Sequence, residues 1–367
     1  MNDKNFRKKL LALVLPITFQ QLMLAVVSAS DALMVGVIGQ DLLSAVSLAS
    51  QVTFVYNLFL AALTIGTSIF AAQYWGKGDK NAIERILGIV LRTSMLVSAV
   101  FFAGTMFTPE LLMRIFTEDP VLTVYGTDYL RIVSVTYLMC GISQIYLCIM
   151  KNSGLAAKSM VISSTAAGLN IILNAVLIYG LFGAPRMEAA GAAAATALSR
   201  VAELAWVLLE LRKKGRIKIR LRYILHPDQP MRKEFWHYTF PVLGNELVWG
   251  GGFTMYSVIM GHLGTDAVAA NSIANIVKNL IASLAMGIGN GGAIIVGNEL
   301  GAGKLERAKA YGGKLCRIAV ISGICSGIFL LAVSPAVLTV SDLSPTAEEY
   351  LKWMLVMCSY YMIGKYV

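Results

Sequence analysis

Apolar runs long enough to cross a lipid bilayer recur along most of this chain. They fall at about 10–37, 44–73, 86–108, 122–150, 159–183, 189–211, 235–262, 267–297, 315–340 and 348–367. A bilayer core of about 30 Å needs roughly 20 helical residues. In hydrocarbon the backbone must satisfy its own hydrogen bonds, which leaves helices or closed barrels. Runs of this length predict an all-α integral membrane protein. Composition agrees: 57% of the 367 residues are hydrophobic and only 14% are charged, against about a quarter charged in an ordinary soluble domain.

The net charge of +10 does not mark a nucleic-acid binder, because the basic residues form short patches between apolar runs and build no continuous basic face. Their distribution instead sets topology. The segments 1–9, 74–92, 151–158, 212–233 and 304–317 hold 24 of the 31 lysines and arginines, and the alternate segments hold only Arg114, Arg131, Arg186 and Lys352. This imbalance predicts a multi-pass protein of the cell (cytoplasmic) membrane with its N-terminus and its longest basic loop in the cytoplasm. The loop charges then read mostly as anchors beside anionic membrane lipid.

The chain also repeats itself. A constant offset of 225 residues pairs Pro16 with Pro241, Gly36 with Gly261, Asp41 with Asp266, Ser47 with Ser272, Gly66 with Gly291, Gly76 with Gly301 and Gly78 with Gly303. Apolar helices match by accident more easily than prolines, aspartates and glycines in one register do. The first run also has this partner later in the chain, which argues against its being a cleaved secretory signal. Because six spans separate the copies, both start on the same side, and two-lobed transporters of this build place the substrate between lobes. The expected architecture is two pseudo-symmetric six-helix lobes: an N-lobe at 1–220, a basic cytoplasmic linker at 221–234 and a C-lobe at 235–367. Twelve transmembrane helices are expected in full and about ten are present, so the chain is expected to be a C-terminally truncated fragment.

Charged and amide side chains within apolar spans are expensive and are functional candidates by default. Asp31 lies 22 residues after Lys9, about 33 Å along a straight helix. Low dielectric disfavours an ionised carboxyl, so one such residue can exchange a proton, a sodium ion or a cationic compound. Asn170 and Asn174 are four apart and share a helical face. In the second copy, Glu246 and Lys278 could neutralise each other. Arg200 and Glu203, three apart, read as a local ion pair. Pro16 and Pro241 each remove a backbone hydrogen bond and allow their helices to bend.

Several classes lack support. The five cysteines and three histidines show no metal-ligand spacing, so no structural metal is expected. The glycine clusters at 250–252 and 287–292 follow no strand and lead into no GK[ST], so no ATP site is read. No paired catalytic constellation is visible, so the chain is not read as an enzyme. No resident cofactor and no nucleic-acid partner are expected, and the protein is read as a monomer.

Three stretches carry a resemblance: the first-span proline followed fifteen residues later by Asp31 before Met-Val-Gly, the glycine-rich second span running into QYWGKGD, and NIILN followed by AAAATALSR. With these the chain resembles the multidrug and toxic compound extrusion (MATE) transporters along nearly all of its length. The resemblance implies outward export of organic cations and drugs by alternating access, driven by inward proton or sodium flow. It implies that Asp31 is the coupling carboxylate of the N-lobe, with sodium at Asp31 as one option. Asn170 matches a polar pocket position, and Thr196 would line the same site. Where some relatives carry a second aspartate this chain has Asn174, and Glu246 stands about one turn before the acidic position of others. A lipid-linked or oligosaccharide flippase of a related two-lobed fold is the alternative; it would need a large basic cavity for phosphate, for which Lys278 and Arg200 are the available cations.

Overall fold

The computed structural model describes residues 3–183, 185–340 and 344–366. They form α1 (Asp3–Gly36), α2 (Gln40–Lys77), α3 (Lys80–Phe107), the short α4 (Pro109–Phe116), α5 (Pro120–Met150), α6 (Ala156–Tyr179), α7 (Glu188–Arg212), the short α8 (Leu221–Leu225), α9 (Gln229–His262), α10 (Thr265–Gly301), α11 (Leu305–Val340) and α12 (Pro345–Tyr366). No strand occurs among the described residues. Seven stretches among them are long and apolar enough to cross a membrane, and one of these, Pro120–Tyr179, holds both α5 and α6. Helices α9 and α12 are long enough but are not among those stretches. The reason is polarity: α9 carries Asn245, Glu246, Trp249 and the glycines at 250–252 in its middle, and α12 carries Glu348, Glu349, Lys352 and Lys365.

The helix ends repeat at the offset read from the sequence. Helices α2 and α10 start at Gln40 and Thr265, α3 and α11 at Lys80 and Leu305, and α5 and α12 at Pro120 and Pro345. Gly78 and Gly303 end α2 and α10 at φ 79° and 72°, a left-handed conformation that favours glycine. Their N–H groups donate to Trp75 O and Leu300 O, and those of Asp79 and Lys304 donate to Tyr74 O and Glu299 O. This is one and the same Schellman-type stop in each copy. At the next start, Asp119 Oδ1 accepts from Val121 N and Ser344 Oγ accepts from Ala347 N. The duplication is thus present in backbone geometry as well as in residue identity.

The chain forms two compact units, one of Val27–Leu247 and one of Met1–Val26 with Val248–Val367. Their boundaries lie inside α1 and α9, the proline-bearing first helix of each copy. Tyr56, Ile86, Tyr137, Ile145 and Phe235 belong to the core of the first unit. Phe6, Leu10, Val14, Ala270, Leu355 and Tyr366 belong to that of the second.

The segment expected to be a linker, 221–234, is largely helical, in α8 and the start of α9. The basic stretch before it is strapped to the protein by buried acids. Glu84 accepts from Lys218 N at 3.1 Å and pairs with Arg220. Glu210 pairs with Lys213 and with Arg216, the latter at 3.2 Å. Tyr146 donates to Ile217 O at 3.1 Å, and Ile217 is buried. Several charges expected to act as lipid anchors therefore have protein partners.

Candidate functional site

The polar residues picked out in the first copy meet at one place in the Val27–Leu247 unit. Asp31 is on α1, five residues before the helix ends at Gly36. Asn170 and Asn174 are on α6 and are 4% and 0% exposed. Asn174 Nδ2 donates to Asp31 Oδ1 and, at 3.3 Å, to Asn170 Oδ1. Asn170 Nδ2 donates to Thr196 Oγ1 on α7 at 3.3 Å, and Thr196 donates to Ala192 O at 3.0 Å. A continuous hydrogen-bonded chain thus joins three helices.

Small residues make it possible. Ala189, Gly191, Ala192, Ala193 and Ala195 are all buried on α7. A Cβ at Gly191 would stand 2.7 Å from Leu177 O, so the backbones of α6 and α7 touch. Such small-residue contacts let helices approach closely enough for side-chain hydrogen bonds between them.

One atom in the cluster is unsatisfied. Asn174 Oδ1 is buried without a hydrogen-bond partner, which costs about 1–3 kcal/mol. One turn beyond Thr196, Arg200 pairs with Glu203 at 2.8 Å. Glu203, 1% exposed, also accepts from Ser143 Oγ at 2.6 Å and Gln144 Nε2 at 2.9 Å. The ion pair read from the i,i+3 spacing is present, and both charges have partners. Arg200 is within electrostatic reach of Asp31.

One neighbour of the cluster has no mark in the sequence. Tyr129 on α5 is within electrostatic reach of Asp31 and hydrogen-bonds Ser50 on α2. Tyrosine and serine are unremarkable in an apolar helix, and no spacing singles them out. Glu246 and Lys278, read as possible partners, belong to different compact units. Lys278 donates to Asn275 Oδ1 and lies over the rings of Phe253 and Tyr361 at 5.9 and 5.7 Å. Pro16 and Pro241 both lie inside continuous helices, α1 and α9. Among the described residues no cluster of histidine, cysteine, aspartate or glutamate is fit to hold a metal, and all five cysteines are free thiols.

Known proteins share this architecture. A solved structure of a multidrug resistance MATE family transporter of the MOP superfamily in an outward-facing conformation aligns with TM-score 0.85 at 20% identity, over 98% of this chain and 83% of that one. A MATE crystal structure in the bent conformation aligns with TM-score 0.84 at 19% identity, over 98% and 79%. In sequence, the probable multidrug resistance protein NorM of Thermotoga maritima is 25% identical over 301 residues, 82% of this chain and 64% of the relative. The chain therefore spans somewhat less than two thirds of that relative's length. Multidrug resistance protein MdtK of Yersinia enterocolitica is 26% identical over 366 residues, 97% of this chain and 77% of the relative. The family model described as MatE matches residues 16–176 and 241–364. This chain belongs to the MatE family.

Proposed function

We propose that the protein is a secondary active multidrug exporter of the cytoplasmic membrane, with a cytoplasmic N-terminus, that exchanges cationic amphipathic compounds for protons or sodium ions by alternating access. The observation that carries the reading is the hydrogen-bonded chain from Asp31 through Asn174 and Asn170 to Thr196. The similarity to multidrug resistance proteins such as MdtK agrees with it.

The chemistry follows from donor and acceptor capacity. An ionised Asp31 can only accept, and Asn174 supplies an N–H. A protonated Asp31 must donate, and Asn174 Oδ1, which has no other partner, becomes its acceptor once the amide turns over. The same amide thus serves both charge states and makes a different set of bonds in each. For sodium, the oxygens of Asp31, Asn170, Asn174 and Thr196 form an all-oxygen donor set, which suits a hard cation. Either ion would shift a balance between two arrangements of α1 against α6, in a helix that Pro16 leaves one backbone bond short. Glu246 would serve the second copy. The flippase reading gains no support, because Arg200, one of its two available cations, is held by Glu203.

Purified protein in proteoliposomes with imposed proton or sodium gradients tests the reading, with ethidium as the transported dye. Gradient-driven movement is expected with one of the two ions and is expected to vanish in Asp31→Asn, which keeps shape while removing titration. Wild-type rates in Asp31→Asn, with loss in Glu246→Gln, would place coupling in the second copy and refute the assignment.

A further inference from the structure

Compared at the 225-residue offset, the two copies differ in charge around one place. Where the first copy has Asp31, Asp128 and Thr53, the second has Tyr256, Trp353 and Lys278. In the second copy these residues line a cavity of 360 Å³ together with Asn271, Asn275 and Tyr350. An ammonium group within a membrane span is costly unless something answers its charge. No carboxylate pairs with Lys278 among the described residues. The faces of Phe253 and Tyr361 hold it by cation–π contact and leave its charge unneutralised.

The hydrogen bonds of the cavity run in one direction, and the lysine sets it. An ammonium can only donate, so Asn275 must turn Oδ1 toward Lys278. The Nδ2 of Asn275 then donates to Asn271 Oδ1 at 3.1 Å. Tyr256 O–H donates to the same oxygen at 3.0 Å. Asn271 Oδ1 thereby accepts twice and Asn275 Oδ1 once, both inside the network. What remains for a ligand is a surplus of donors: the Nδ2 of Asn271 and the further N–H groups of Lys278. Lys365, over the ring of Trp249 at 5.8 Å, adds positive charge nearby. Walls of Tyr256, Tyr350 and Trp353 offer aromatic faces.

We propose that this cavity binds an anionic group on an aromatic ligand, a carboxylate received by Lys278 and Asn271 with its ring against Trp353 and the two tyrosines. The polarity is the reverse of the Asp31 cluster, so the compounds handled include aromatic acids or zwitterions. Binding is independent of export, and only its part in transport rests on the function proposed above.

Calorimetric titration of the purified protein with 2-naphthoate, 2-naphthamide and 2-naphthylmethylammonium tests the site. The carboxylate is expected to bind about ten-fold tighter than the amide, as a charge-assisted hydrogen bond gives, and the ammonium more weakly still. Lys278→Gln should bring the carboxylate down to the amide's affinity, Lys278→Arg should keep the preference, and Asn271→Leu should weaken it with the charge unchanged. Equal affinities for carboxylate and amide in the wild type, tighter binding of the ammonium, or a preference that survives Lys278→Gln would each overturn the proposal. The wild-type comparison needs no variant and decides the matter even if Lys278→Gln fails to fold. Carboxylate preference without ethidium transport would remove the exporter reading and leave this site, and the converse result would remove the site alone.

Discussion

Gly191→Ala should damage the Asp31 cluster without touching any of its side chains. The added Cβ would stand 2.7 Å from Leu177 O and 2.8 Å from Leu177 C, where ordinary contact begins at 3.4 Å. Backbone cannot swing aside as a flexible side chain can, and Leu177 O is further pinned by Met187 N at 2.9 Å. Helices α6 and α7 must therefore part locally by about 0.7 Å to restore normal contact. Thr196 is five residues along α7, about 7.5 Å away, so it moves too. Its hydrogen bond from Asn170 is already 3.3 Å and would stretch to about 4 Å, outside hydrogen-bond range. Overpacking costs about 1–3 kcal/mol, and the lost buried bond adds about 1 kcal/mol. Gly168→Ala on α6 is the matched control, since nothing lies within 4 Å of a Cβ there; it should be neutral or gain up to about 1 kcal/mol of helix stability. Thermal unfolding of the purified variants reads the difference, and ethidium transport in proteoliposomes reads its effect on the cluster. If Gly191→Ala melts at or above the wild-type midpoint, the contact between α6 and α7 does not position the site.

Three other expectations follow from the buried acids and the basic segments. Arg200→Met leaves Glu203 buried with only Ser143 and Gln144 as donors, which should cost about 3–5 kcal/mol; the thermal midpoint should fall, and adding Glu203→Leu should restore most of it. Glu84→Gln weakens the hold on Lys218 and Arg220, so tryptic cleavage between 213 and 222 should accelerate, as mass spectrometry of the fragments would show. Lys214→Cys should react with impermeant maleimide only from the cytoplasmic side and Thr346→Cys only from outside, and labelling of Lys214→Cys in intact cells would invert the topology.

The elements that could be read from the sequence are those governed by local chemistry. A hydrophobic helix long enough for a bilayer announces itself, as α2 and α3 do, while α9 is diluted by Asn245, Glu246 and the glycines at 250–252, and α12 by charged residues. Asp31, Asn170 and Asn174 stood out because a carboxylate or amide in hydrocarbon needs a reason, and spacing put the two amides on one face. Distances between helices were not legible. Lys278 has Asn275 as its hydrogen-bond partner and the rings of Phe253 and Tyr361 about it, and charge alone marks none of the three. Tyr129 on α5 is within electrostatic reach of Asp31 and bonds Ser50 on α2, and nothing local to either residue marks that meeting. The basic segment misled for a similar reason: Glu84 is 134 residues from Lys218, so its grip on the loop has no counterpart in local pattern.

Internal duplication separates two kinds of residue within this one chain. Backbone geometry makes the same demand in each copy, so Gly78 and Gly303 both take a left-handed conformation that side chains rarely adopt, and Pro120 and Pro345 both open a helix where a missing N–H is harmless. Those positions bear the fold, and changing either member of a pair would disturb a helix end. A polar side chain within a helix meets no such demand from the backbone and is free to differ between copies. Asp31 opposite Tyr256, and Thr53 opposite Lys278, are such differences on an otherwise repeated frame. The first copy turns an amide N–H toward a carboxylate, and the second turns an amide oxygen toward an ammonium group. A substitution that made the copies alike, such as Lys278→Thr, should therefore leave the helices in place and alter which ligands bind.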